Sequence, residues 1–81
     1  MESIEDRLRQ IIAGIAKITP ESMLPEDDLV VKYGVDSMRR IEIVIEIEKT
    51  FGITISDEEA GNPRTFANFL NLVEKHKGVN K

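Results

Sequence analysis

Ser37 is the residue whose type and setting could do chemistry. It stands in Gly34-Val35-Asp36-Ser37-Met38. A serine at the exposed start of a helix meets free backbone amides and the positive end of the helix dipole, and both favour a phosphate ester. No base adjoins it in the sequence, so it is a poor nucleophile by itself and reads as an acceptor modified by another protein. Asp-Ser is also a common helix start, and taken alone these five residues favour a plain cap, because short motifs match by chance.

Other candidates are thin. His76 is the only histidine, beside Lys75 and Lys77, and is expected to be a solvated helix-end residue. The runs Glu26-Asp27-Asp28 and Asp57-Glu58-Glu59 lack the alternation of a calcium loop and are expected to be solvated. There is no cysteine, which excludes disulfides, thiolate metal sites and a thiol nucleophile. No glycine-rich phosphate loop, H-E-x-x-H or G-x-S-x-G is present. An enzyme in its own right is the least supported reading.

The elements that must hold Ser37 follow from periodicity and caps. Ile4, Leu8, Ile11, Ile12 and Ile15 recur at helical steps and predict an amphipathic helix over 4–17, capped by Ser3. Gly14 lies inside it as a tolerated glycine. Thr19-Pro20 ends it, and a long loop with Pro20, Pro25 and the first acidic run follows, anchored by Leu24, Leu29, Val30, Val31 and Tyr33. Residues 36–51 fit two patterns. Isoleucine at 41, 43, 45 and 47 alternates as in a strand. Met38, Ile41, Val44, Ile45 and Glu48 also share one helical face, extended by Ile47 and Phe51. The length of the run, the Asp36-Ser37 start and Gly52 behind it favour the helix. Ser56 to Glu59 is a capping box for a turn or two of helix. Thr65 caps a final helix over 66–77 with Phe66, Phe69, Leu70 and Val73 inward, and a tail is expected from Gly78 to Lys81. Three main helices and one short one predict a small bundle.

With 81 residues, the chain is expected to be a single domain, 1–81. Its net charge of −4 argues against nucleic acid. Residues 36–59 hold seven acids against three bases, whereas 60–81 hold one acid against four bases. Such a surface suits partners with basic patches. No stretch approaches a membrane span, and the first residues lack the pattern of a signal peptide, so a soluble, cytoplasmic protein is expected.

The ordered set Gly34-Val35-Asp36-Ser37-Met38, Ile41-Glu42-Ile43-Val44, Glu48-Lys49-Thr50-Phe51-Gly52-Ile53-Thr54-Ile55 and Asp57-Glu58-Glu59-Ala60 resembles the acyl carrier protein family. That family reads roughly G-x-D-S-L, V-E-L-V, E-F-G-I-x-I and D-E-D/E-A, and the spacing agrees without a gap from Gly34 to Ala60. The resemblance implies an all-α, four-helix bundle with a long first loop and a short third helix. It implies 4'-phosphopantetheine on Ser37, donated by coenzyme A under a holo-carrier synthase (a phosphopantetheinyl transferase), with acyl cargo held as a thioester. The partners implied are that transferase and the acyl-loading, condensing or acyltransferase enzymes of fatty-acid, lipid or polyketide-type synthesis, and the carrier is expected to be a monomer. The reactive thiol then belongs to the arm, which accounts for a chain without cysteine. The interior between helices is expected to shelter the acyl chain.

By the same resemblance Asp36 caps the helix and meets the synthase, and Met38 offers a soft apolar contact. Glu42 and Glu48, with Asp57 and Glu58, form an acidic surface for partner enzymes; each also reads as an ordinary solvated acid. Arg39, Arg40 and Lys49 depart from the family pattern. The two arginines place positive charge where partners read, which implies a specialised rather than a housekeeping carrier. They alternatively pair with Asp36 or Glu42 and read nothing. An aminoacyl carrier of the D-alanyl or peptidyl type, suggested by Met38, and an unmodified helical adaptor are the other readings.

Overall fold

Ser3 opens the first helix, α1 (Ile4–Ala16), by accepting a hydrogen bond from the Asp6 N–H at 3.1 Å. The structure, a computed structural model, describes residues 3–78. Among the described residues a 3₁₀ turn (Pro20–Ser22) and four further α-helices follow: α2 (Leu29–Tyr33), α3 (Ser37–Phe51), α4 (Asp57–Ala60) and α5 (Phe66–Lys77). The all-helical bundle expected from the sequence is what the chain forms, with α4 as its short helix and no strand among the described residues. Of the expected tail, Gly78 is the left-handed cap of α5, and residues 79–81 lie outside the described residues.

The three long helices pack pairwise around Leu8 and Ile12 of α1, Ile43 and Ile47 of α3, and Phe66, Phe69 and Val73 of α5. Leu29 of α2, Val44 and Phe51 of α3, and Met23, Val35 and Ile55 from the connections complete this core. Gly14 lies on the outer side of α1, and a Cβ built there meets nothing within 4 Å. Gly14→Ala is therefore expected to stabilise the chain by about 0.5–1 kcal/mol, because glycine costs about that much in a helix interior. Thermal unfolding should show a rise of roughly 3–6 °C for a domain of this size. An unchanged or lowered melting temperature would contradict this account of α1.

The long first connection is tied down from both sides. Arg9 of α1 donates to the Pro20 carbonyl at 3.2 Å and to the Met23 carbonyl, and its guanidinium lies 4.4 Å from the centre of the Phe66 ring. The acidic run here is not simply solvated. Asp27 accepts from the Leu24 N–H at 2.9 Å and lies 3.1 Å from both Lys32 Nζ and the Tyr33 hydroxyl. Asp28 caps α2 through the Val30 and Val31 amides and pairs with Arg64 at 2.9 Å. Each of these carboxylates replaces water with fixed donors, so each organises a turn. The helix α2 itself had no periodic signal, since five residues are too few to show one.

The apolar face of α3 also differs from expectation. The residues that enter the core are Ile43, Val44, Ile47 and Phe51. Met38, Ile41 and Ile45 stay 70%, 57% and 48% exposed. The helix carries large apolar residues nearly all round, so periodicity alone could not say which side faces α1 and α5.

His76 is likewise not a free helix-end residue. Its Nε2 lies 3.0 Å from Glu59 Oε1, and Lys75 Nζ lies 3.2 Å from Glu59 Oε2. Glu59 also accepts from the Ser56 N–H at 3.2 Å, completing the capping box of α4. These contacts, the Ser56 amide foremost, hold the Glu59 carboxyl at about 2. Backbone amides and cations likewise hold Asp27 and Asp28 below their usual values. The unfolded chain takes up protons on these groups at higher pH than the folded chain does, so acid favours unfolding. Their contribution is present above pH ~5 and is lost as the pH falls toward about 2. Glu59→Gln is expected to flatten the fall in stability between pH 5 and pH 2, read by urea unfolding at stepped pH. An unchanged slope would show that the Glu59 contacts do not hold α4 to α5 in solution.

Candidate attachment site at the start of α3

A left-handed glycine turns the chain toward Ser37. Gly34 has φ +68° and ends α2, its N–H donating to the Leu29 and Val30 carbonyls. An L side chain is strained at that φ, so glycine suits the turn. Val35 is buried, and its N–H donates to the Leu29 carbonyl at 3.1 Å, which fixes the segment to the core. Asp36 then caps α3: its carboxylate accepts from the Arg39 N–H at 3.0 Å, and its carbonyl accepts from the Arg40 N–H at 2.9 Å. Ser37, the first residue of α3, is thereby held rigidly at the surface.

The chain has four serines. Ser3 Oγ accepts from Asp6, Ser22 Oγ donates to the Thr19 carbonyl at 2.8 Å, and Ser56 Oγ is bonded to Glu59. Ser37 is the one whose hydroxyl makes no hydrogen bond among the described residues. Nor do the first two amides of α3, those of Ser37 and Met38, find a partner there, so the positive helix end is open beside that hydroxyl. The nearest carboxylate in sequence, Asp36, is committed to its cap, and the one histidine is on Glu59. The site therefore offers an acceptor without a base.

Behind Ser37 a cleft of about 410 Å³ runs between α3 and α4. Ile41, Val44, Ile45, Ile55 and Ala60 give it apolar walls, while Ser37, Arg40, Glu48, Asp57 and Gly61 line the rest. The exposed isoleucines of α3 are thus the wall of this cleft. Glu48 is half-buried, and its carboxylate accepts from the Ile55 N–H at 2.8 Å, which pins the end of α3 to the following loop. Asp57 and Glu58 stand exposed in the first turn of α4, without an ion pair among the described residues. Met38 and Glu42 lie on the other flank of α3, in a second concavity with Gly14, Lys17, Asp36 and Arg39.

The two arginines make neither of the expected side-chain pairings with Asp36 or Glu42. Arg39 reaches back to the Ile15 carbonyl at the end of α1, and Arg40 Nη1 donates to the Gly61 carbonyl at 2.7 Å, just past α4. They brace the start of α3 from two sides. Sequence reasoning had no signal for this, because both partners are backbone carbonyls more than twenty residues away.

The family model described as the phosphopantetheine attachment site matches residues 6–73. Two curated proteins, each called acyl carrier protein and found in the RML369-C and OSU 85-389 strains of Rickettsia bellii, are both 35% identical over 82 residues. Each alignment covers 95% of this chain, and 90% and 95% respectively of the two relatives.

Proposed function

The chain belongs to the acyl carrier protein family, and from that premise we propose that Ser37 is the residue on which its phosphopantetheine arm is carried. The protein is a carrier and not an enzyme, and its cofactor is covalently attached 4'-phosphopantetheine. The observation that carries the assignment to Ser37 is its hydroxyl at the open end of α3, which alone among the four serines makes no hydrogen bond to the described residues. The surroundings fit an anionic ester there: two unpaired amides, a helix dipole and the Arg40 cation. When bound, the arm supplies the thiol that holds acyl cargo as a thioester.

The chain's own residues do the rest. Asp36 fixes the backbone at the start of α3, so Ser37 is presented at the surface to a transferase that must bring its own base. Ile41, Val44, Ile45, Ile55 and Ala60 offer an apolar cleft against which an acyl chain is shielded from water. Glu42, Asp57 and Glu58 present exposed negative charge for enzymes with basic docking surfaces, and Met38 adds an exposed apolar contact. Glu48, bonded to the Ile55 amide, contributes less to such a surface. The family works with phosphopantetheinyl transferases and biosynthetic enzymes. For this chain the acyl-loading, condensing or acyltransferase enzymes are the proposed partners. Arg39 and Arg40 keep two positive charges beside Ser37 although their donors reach carbonyls, which supports a specialised carrier. We place it in the cytoplasm as a monomeric single-domain carrier; no described helix is long and apolar enough to cross a membrane. Met38 is the one feature that suggests the aminoacyl reading, and the relatives called acyl carrier protein support the acyl reading instead.

Intact mass after incubation with coenzyme A, magnesium and a broad-specificity phosphopantetheinyl transferase tests this reading. The folded chain should gain one arm and no more. No gain with two unrelated transferases, on protein shown to be helical, would overturn it.

A further inference from the structure

We propose that Arg40 ties the phosphodiester carried on Ser37 to the turn after α4, so that attaching the arm tightens α4 against α3. This rests on Ser37 being the attachment residue. Three features of Arg40 point to it.

The first is position. Ser37 and Arg40 are three residues apart on α3, so they share a face one turn apart, and both line the same cleft. The second is that Arg40 already spans that cleft: its Nη1 donates to the Gly61 carbonyl at 2.7 Å. The third is what it leaves unused. A guanidinium has five N–H donors in a rigid plane. Only Nη1 is engaged, and Arg40 forms no ion pair among the described residues, though Asp57 and Glu48 line the same cleft. Its remaining donors and its charge are free for an anion on Ser37 without release of Gly61. Arginine suits a two-oxygen phosphate group better than lysine does, because its fork matches the spacing of the oxygens. In the unmodified chain Arg40 therefore holds the end of α4 by one neutral carbonyl contact. The modified chain holds it by a cation fixed at both ends.

The consequence is read in α4. The Ala60 N–H donates to the Ser56 carbonyl at 2.9 Å, so its exchange with solvent reports opening of that helix. Amide hydrogen exchange is compared before and after modification in wild type, Arg40→Gln and Arg40→Lys, with intact mass confirming one arm on each. In wild type, modification should slow Ala60 exchange about three- to fivefold, the scale of one charged contact near a surface. In Arg40→Gln it should change nothing, and in Arg40→Lys the slowing should be smaller than in wild type. Faster exchange in modified wild type would mean that Arg40 abandons Gly61 for the phosphate, and would overturn the proposal. Equal slowing in wild type and Arg40→Gln would overturn it too. If Arg40→Gln does not fold, the Arg40 Nε–H resonance of wild type decides: it should shift on modification, and an unmoved resonance would refute the tie. Absence of any mass gain would instead count against Ser37 as the attachment residue.

Discussion

Ser37→Ala is expected to abolish loading of the arm and to leave the fold as it was. Both halves follow from the same observation. The Ser37 hydroxyl makes no hydrogen bond among the described residues, the side chain is exposed, and the cap of α3 belongs to Asp36. Alanine is the best helix former, so the change should move stability by no more than about 0.5 kcal/mol. Ser56→Ala is the instructive contrast. It removes the α4 cap and should cost about 1 kcal/mol, yet the variant should load normally. Circular dichroism melts and intact mass on the two variants would separate a serine used for chemistry from one used for structure. Loading retained in Ser37→Ala would remove the basis of the account.

Phe66→Ala should nearly unfold the protein. Phe66 begins α5, is 0% exposed, and lies beneath the Arg9 guanidinium that also holds the first connection. Truncating a buried phenylalanine costs about 3–5 kcal/mol through lost burial and the cavity left behind. A domain of 81 residues has roughly 4–12 kcal/mol to lose, at the usual stability per residue. The ring also supports a cation contact that ties α1 and the loop to α5, so its removal loosens three segments at once. Urea unfolding should show the midpoint falling to a small fraction of the wild-type value, or no cooperative transition at all. Met38→Ala, at a side chain 70% exposed, should leave that midpoint nearly unchanged. A loss below about 1 kcal/mol for Phe66→Ala would contradict the packing described for α1 and α5.

Much of the fold was legible because the helix ends carry their own chemistry. Ser3, Asp36, Ser56 and Thr65 each accept the amide that a capping residue should, and Gly52 is left-handed behind α3. These are local interactions, readable within a few residues. What was not legible depends on contacts across the chain. The strand-like alternation of isoleucine over 41–47 leaves apolar side chains on both flanks of α3, and only packing decides that Ile43 and Ile47 go inward. The surplus on the other flank, Ile41 and Ile45, becomes the wall of the cleft beside Ser37. In the same way, Arg9, Arg39 and Arg40 read as surface charge, whereas each donates to a backbone carbonyl far along the chain. The acids Asp27, Asp28 and Glu59 read as solvated and instead build turns and pin helices. At the site itself, the segment around Ser37 could be found from sequence. The free hydroxyl that singles it out from three other serines could not, because that depends on where every other serine finds its partner.

The central claim is that one residue, Ser37, carries the arm. Fragmentation mass spectrometry of the modified protein locates the added group directly. Wild-type chain loaded to one arm should show it on the peptide containing Asp36-Ser37-Met38, and on Ser37 within that peptide. The same group found on Ser3, Ser22 or Ser56, or spread among them, would contradict the account.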